Sequence, residues 1–479
     1  MLVFLPVTLA VYFGLLRFRL RRVALCWLVV ASLYFHAVWN IQHLPLLLGS
    51  VAFNFFAGEL ISKTAPTRRG WVTGAAIAIN LAVLALFKYA GFLTDLANDL
   101  GSLSLAVPEI ALPLGISFFT FTQIAYLVDN HRGIVRDRDP LNYALFVTFF
   151  PHLIAGPIIH HAEMMPQFGS RWNAVLRYRN ILFGLCLFGM GLFKKVVLAD
   201  TLAIHANAGF GGSGTMDFYS AWGTCLAYTF QLYFDFSGYS DMALGAARLF
   251  NIRLPVNFNS PYKALSIQDF WRRWHMTLSR YLRDYLYIPL GGNRSGPLRT
   301  HFNLLLTFTL GGLWHGATWM FVIWGVLHGL AMVVNRLWQQ LNRPLPAPLA
   351  WVLTFLFVAV SWVFFRAETW SEARRILAGM VNLGSALSFD PSLSPLRHFI
   401  WSGWLGDGLL DVMPAGLVAN LPVLVFVALS FWIVSRRNSM ELVADAVARK
   451  RPWLMLALFT IALVATLSSN SSVFLYFNF

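Results

Sequence analysis

The sequence predicts an all-α polytopic integral membrane protein, and three observations carry that prediction. Hydrophobic residues make up 58% of the 479-residue chain, and the mean hydropathy is +0.62. Only 12% of residues are charged, against about 25% in a soluble globular chain. Apolar runs recur from one end to the other, with basic residues gathered in the short loops between them. No soluble block is long enough for a second domain, so residues 1–479 read as one membrane-embedded domain.

A spanning helix needs about 20 mostly apolar residues. In chain order the candidates are 1–16, 23–39, 44–61, 71–93, 112–128, 143–159, 181–198 and 222–250. They continue with 302–315, 319–337, 350–365, 421–435 and 453–467. The expectation is about 11–13 membrane segments, some short enough to re-enter rather than cross. The first run lacks a basic leader, and Arg17, Arg19, Arg21 and Arg22 follow it. A cleaved signal peptide has the reverse order, so a retained first span is expected.

The net charge of +15 is explained by topology rather than by nucleic acid. The basic clusters at 17–22 and 63–69 are two crossings apart, and the loop between residues 93 and 110 carries only Asp95, Asp99 and Glu109. Arg132, Arg136 and Arg138 return to the basic side. That alternation is the positive-inside pattern. Residues 142–179 interrupt it with Pro151, Gly156, Pro157 and a basic tail, which suggests a re-entrant hairpin. Residues 384–416 read as an external loop and Arg436, Arg437, Arg449, Lys450 and Arg451 as cytoplasmic. One last span then puts the C-terminus outside. Cys26, Cys186 and Cys225 are scattered, with no disulfide or metal-ligand spacing.

Four segments carry chemistry. In residues 266–292, Ser266 and Asp269 resemble a capping box. A helix from there would put Phe270, Trp271, Trp274, Leu278, Tyr281, Leu282 and Tyr285 on one face. Arg272, Arg273, Arg280 and Arg283 would fall opposite, with His275 at the edge of the apolar face. Such a helix would lie in the membrane interface. Its arginines suit either anionic headgroups or the phosphates of a cytosolic cofactor, since the guanidinium is a planar fork of donors.

The second segment is Leu310-Gly311-Gly312-Leu313-Trp314-His315-Gly316-Ala317. An ionisable residue inside an apolar run marks a functional site by default. A neutral His315 could act as general base on a hydroxyl, or could simply join two helices by hydrogen bonds. The third, residues 233–241, puts Asp235 and Asp241 in an apolar helix, to orient a histidine or, more in keeping with burial, to pair with Lys or Arg between helices. The fourth, around residue 150, holds His152 in the suspected hairpin, where a hydrogen-bonded loop histidine is expected. His328, between Gly325 and Gly329, reads as helix packing.

With these residues in hand, the chain resembles the membrane-bound O-acyltransferase (MBOAT) family. It is similar to the bacterial branch that serves alginate, cellulose and peptidoglycan O-acetylation and teichoic-acid D-alanylation. The resemblance covers nearly the whole chain and is densest in residues 149–329. It implies a ring of helices around a thin core, pierced by a tunnel. It implies that His315 is catalytic and that His275 assists it or lines the tunnel. It also implies an acyl donor from the cytosol, with acetyl-CoA expected on the alginate analogy, and a periplasmic or membrane-anchored partner acetyltransferase. A polysaccharide is the final acceptor and the bacterial inner membrane the location. The chain ends Phe474-Leu475-Tyr476-Phe477-Asn478-Phe479, resembling a terminal aromatic motif whose tyrosine would relay the acyl group. The plainer reading of Tyr476 is an interfacial anchor. No resident cofactor or metal is expected. A proton-coupled transporter of a lipid-linked sugar, D-alanyl transfer from a carrier protein, and a scaffold for a secreted enzyme are the alternatives.

Overall fold

The computed structural model describes residues 3–101, 104–108, 110–154, 156–386 and 415–468. All regular structure among them is helical. Helices α1 (Phe4–Arg17), α2 (Arg21–Trp39), α3 (Leu44–Lys63) and α4 (Pro66–Lys88) come first, followed by α5 (Ala90–Gly101) and α6 (Ile116–His131). Short helices α7 (Pro140–Thr148), α8 (Phe150–Leu153) and α9 (His161–Gly169) lead into α10 (Tyr178–Phe193). A π-helical turn at Lys194–Ala199 joins α10 to α11 (Asp200–Gly211), and α12 (Phe218–Leu249) follows. Next come α13 (Ile267–Trp271), α14 (Met276–Leu282), α15 (Pro297–His315), α16 (Trp319–Gln340) and α17 (Ala347–Arg366). The chain continues through α18 (Trp370–Met380), α19 (Leu383–Ala386), α20 (Ala415–Ser435), α21 (Ser439–Ala448) and α22 (Trp453–Ser468).

Six of the described helical stretches are long and apolar enough to cross a membrane, or seven if the bent α20–α21 pair is one span. They are α2, α3 with its preceding turn, α4, α10 through α11, α16 and α17. The chain is therefore a multi-pass membrane protein. The other apolar segments are shorter or more polar. Among the described residues between 140 and 169 no helix exceeds 9 residues, about 13 Å at 1.5 Å per residue, so none of these helices could cross a bilayer alone.

Helix α12 is the axis of the packing. It has 32 residues and is buried along most of its length. Its first half joins α13, α14, α16 and α17 in one apolar core, rich in Trp and Phe. Its last turns join α1, α2, α7 and α10 in a second. The candidate site lies in the first.

The structure corrects one local expectation. Residues 266–292 do not form a single amphipathic helix. α13 ends at Trp271, the chain turns, and α14 restarts at Met276. His275 stands at the break with φ of 42°, a left-handed conformation that side chains other than Gly adopt only under local compulsion. Ser266 Oγ does accept from the Asp269 amide at 3.1 Å. Asp269, however, reaches the Leu265 amide rather than that of Ser266, so the capping box is only half formed. The expected apolar residues still face the core: Phe270, Trp271, Trp274, Leu278, Tyr281 and Leu282 are all buried.

Candidate active site

His275 and His315 come from different elements and meet with ring centroids 6.4 Å apart. Both are buried, at 0% and 3% exposure. The imidazole of His315 is caged by Trp314 (4.9 Å between centroids), Phe365 (5.1 Å) and Trp324 (5.3 Å). His275 lies edge-on to Phe236 at 4.8 Å. Together they form a buried aromatic chamber with two imidazoles, groups able to take up and return a proton.

Asn257 compels the turn that presents His275. Its Oδ1 accepts from the Thr277 amide (3.2 Å) and the Thr277 hydroxyl (2.9 Å), and lies 3.1 Å from His275 Nδ1. An amide N–H can only donate, so the atom it meets is the carbonyl oxygen of Asn257. His275 Nδ1 must then carry the proton, which leaves Nε2 as the ring's acceptor. The backbone carbonyl of Asn257 accepts from the Met276 amide at 2.9 Å. Asn257→Ala is expected to remove the Oδ1 acceptor of the Thr277 amide, the Thr277 hydroxyl and His275 Nδ1, while keeping the backbone bond to Met276, and to cost about 1–3 kcal/mol. A fall in the unfolding temperature of the purified variant would register it; an unchanged temperature would deny Asn257 this role.

His315 is the last residue of α15. Gly312 and Gly325 let α15 and α16 touch: a Cβ on Gly312 would lie 2.3 Å from the Phe321 carbonyl oxygen. The glycines around His315 thus admit the neighbouring helix, and at Gly316 the ring of Phe321. The end of α15 is also held from α4. Lys88 Nζ donates to the carbonyls of Trp314 (2.5 Å) and His315 (3.1 Å), and Tyr89 donates to that of Leu313 (2.9 Å).

His328 is structural. The Trp271 indole, which can only donate, points at its Nδ1 (3.2 Å), so Nε2 bears the proton and donates to Ser361 Oγ (3.0 Å). Asp235 and Asp241 pair with lysines of the π-helical turn. Lys195 reaches Asp235 and Asp200 at 2.7 Å each, and Lys194 reaches Asp241 at 2.8 Å. The geometry is therefore that of helix-joining pairs. His152 is buried beside Phe149, 6.3 Å between centroids, in the neighbourhood of the second core. Of the four arginines, Arg273 pairs with Asp269, Arg280 with Glu163 and Arg283 with Asp284, while Arg272 is exposed. Tyr476 lies outside the described residues.

Asn257, Lys88 and Tyr89 were not singled out from the sequence. Lys88 carried the signal, being an ionisable residue within an apolar run. Asn257 carried none, because an asparagine before an aromatic residue in a loop is unremarkable.

Comparison with known proteins agrees with this architecture. Residues 77–367 match the membrane-bound O-acyltransferase family. The peptidoglycan O-acetyltransferase of Helicobacter pylori is 44% identical, over 95% of this chain and 91% of its own. The probable alginate O-acetylase AlgI of Pseudomonas aeruginosa is 42% identical, over 80% of this chain and 74% of its own. The teichoic acid D-alanyltransferase of Bacillus subtilis is 28% identical, over 53% of this chain and 69% of its own. The matched span holds the helices of the chamber and both of its histidines, and the chain belongs to the membrane-bound O-acyltransferase family.

Proposed function

We propose that this acyltransferase moves an acetyl group from cytosolic acetyl-CoA across the bacterial inner membrane to O-acetylate a cell-wall or secreted glycan. The observation that carries the reading is the pair of buried imidazoles, 6.4 Å apart in the aromatic chamber. The names of the relatives support a glycan acceptor and an acetyl group. The positive-inside pattern supports a donor arriving on the arginine-bearing face.

His315 takes the proton of an acceptor hydroxyl as its oxygen attacks the thioester carbonyl. The tetrahedral intermediate collapses with loss of the C–S bond, and the protonated His315 returns its proton to the leaving thiolate. No net proton is gained or lost at the site. His275, fixed with its Nε2 as acceptor, lies close enough to orient the hydroxyl. A nearby base of this kind contributes about 10²–10⁴-fold to rate. Tyr476 is the proposed first acceptor, handing the acetyl group to a partner or a glycan hydroxyl on the far side. Arg272, Arg273, Arg280 and Arg283 are proposed to attract the anionic donor. The enzyme class displaces the transporter and scaffold alternatives. D-alanyl transfer remains the second reading, favoured by the 28% relative.

The test is purified protein in liposomes with radiolabelled acetyl-CoA. Label should become covalently attached to wild type and be lost in Tyr476→Phe. Label retained by Tyr476→Phe would remove the tyrosine relay. A wild type that ignores acetyl-CoA but accepts D-alanine from its carrier protein would replace acetyl by D-alanyl.

A further inference from the structure

We infer that Lys88 is a positioning residue for His315, acting through the helix end that carries the histidine; the inference rests on the reading of His315 as the base. The last four carbonyls of a helix have no partner within it. In α15 they are those of Gly312, Leu313, Trp314 and His315, and the chamber around them is apolar. Each one is answered. The Gly316 amide reaches the Gly312 carbonyl (3.4 Å) and Tyr89 reaches that of Leu313 (2.9 Å). Lys88 reaches those of Trp314 and His315 at 2.5 and 3.1 Å.

An ammonium has three protons and no lone pair. The third proton of Lys88 goes to Ser117 Oγ at 3.3 Å. Its three hydrogen-bond contacts are two backbone carbonyls and one hydroxyl, so it works on the backbone. When protonated it also places a cation at the negative end of the α15 dipole, where a cation is favourable. A charge within an apolar span is costly, and a neutral donor would have been cheaper if satisfying one carbonyl were enough. Lysine bridges two successive carbonyls and ties them to α6 through Ser117.

From α6, Phe121 also stacks on Trp314 at 5.2 Å, while Trp324 of α16 and Phe365 of α17 pack on the ring of His315. The imidazole is therefore gripped between α4 and α6 on its backbone and α16 and α17 on its ring. Losing the backbone grip would let the helix end unwind by a fraction of a turn. A displacement of about 1 Å at a reacting group can cost about 10²-fold in rate.

The test compares wild type, Lys88→Met, Lys88→Gln, Lys88→Arg and His315→Ala in liposomes. Radiolabelled acetyl-CoA is the varied substrate, and rates are normalised to folded protein by thermal unfolding. Lys88→Met should lower kcat about tenfold to a hundredfold while KM stays within about twofold. Lys88→Arg, which keeps charge and donors, should recover most of the loss. If Lys88→Met does not fold, Lys88→Gln, which keeps one donor, carries the same expectation. An inactive His315→Ala beside Lys88 variants whose kcat stays within about twofold of wild type overturns this inference alone. So does a loss that merely follows the folded fraction. A His315→Ala variant with wild-type turnover overturns the base reading and takes this inference with it.

Discussion

Replacing His315 with alanine is expected to reduce acyl transfer by about 10²–10⁴-fold, the contribution of a well-placed general base. The chamber explains why no neighbour can stand in. Trp314, Trp324 and Phe365 offer no base, and His328 spends both ring nitrogens on Trp271 and Ser361. His275 is the nearest imidazole, but Asn257 holds it in its own position. The loss should fall on kcat, with donor KM little changed, because the ring is buried and its role lies in the transition state. His328→Asn is the matching control, expected to lower stability more than turnover per folded molecule. Steady-state kinetics on both variants check this. Equal turnover in His315→Ala and wild type would remove His315 from the chemistry.

The largest effect on stability is expected at Lys195. Its Nζ bridges Asp235 and Asp200, and the three side chains are 12%, 1% and 14% exposed. Lys195→Met leaves two carboxylates facing each other without their cation. Breaking a buried pair from one side costs about 3–5 kcal/mol, far more than the intact pair contributes over an apolar replacement. The variant should unfold at a clearly lower temperature in detergent, and Lys195→Met with Asp235→Leu should regain part of the loss. If Lys195→Met shifts stability by less than about 0.5 kcal/mol, the range of an ordinary surface change, the ion pair does not hold α12 to the π-helical turn.

The legible part of the site was the part written in local sequence. Trp314-His315-Gly316 is conspicuous because a titratable ring between glycines in an apolar run has few structural excuses. Asp235 and Asp241 were legible as pairs in need of cations, and Lys194 and Lys195 proved to be those cations. They had been missed as partners because 40 residues or more separate each lysine from its carboxylate, and no local pattern reports such a distance. The helix through residues 266–292 failed for a different reason. Its 3.6-residue periodicity is real, and the apolar face is buried as expected. Asn257, from outside the segment, binds Met276, Thr277 and His275 and pulls the backbone into a left-handed turn.

Composition, apolar runs and the placement of arginines were enough to determine a multi-pass helical membrane protein, because the bilayer admits few solutions and hydropathy reports them directly. The histidines of the candidate chamber stood out in the sequence for the same reason, as titratable rings in or beside apolar runs. Only the tertiary structure decided which histidines share a chamber, which are spent on hydrogen bonds, and that a lysine from α4 closes the end of α15. Those choices depend on contacts between helices far apart in the chain, whose energies come from geometry that no single segment contains.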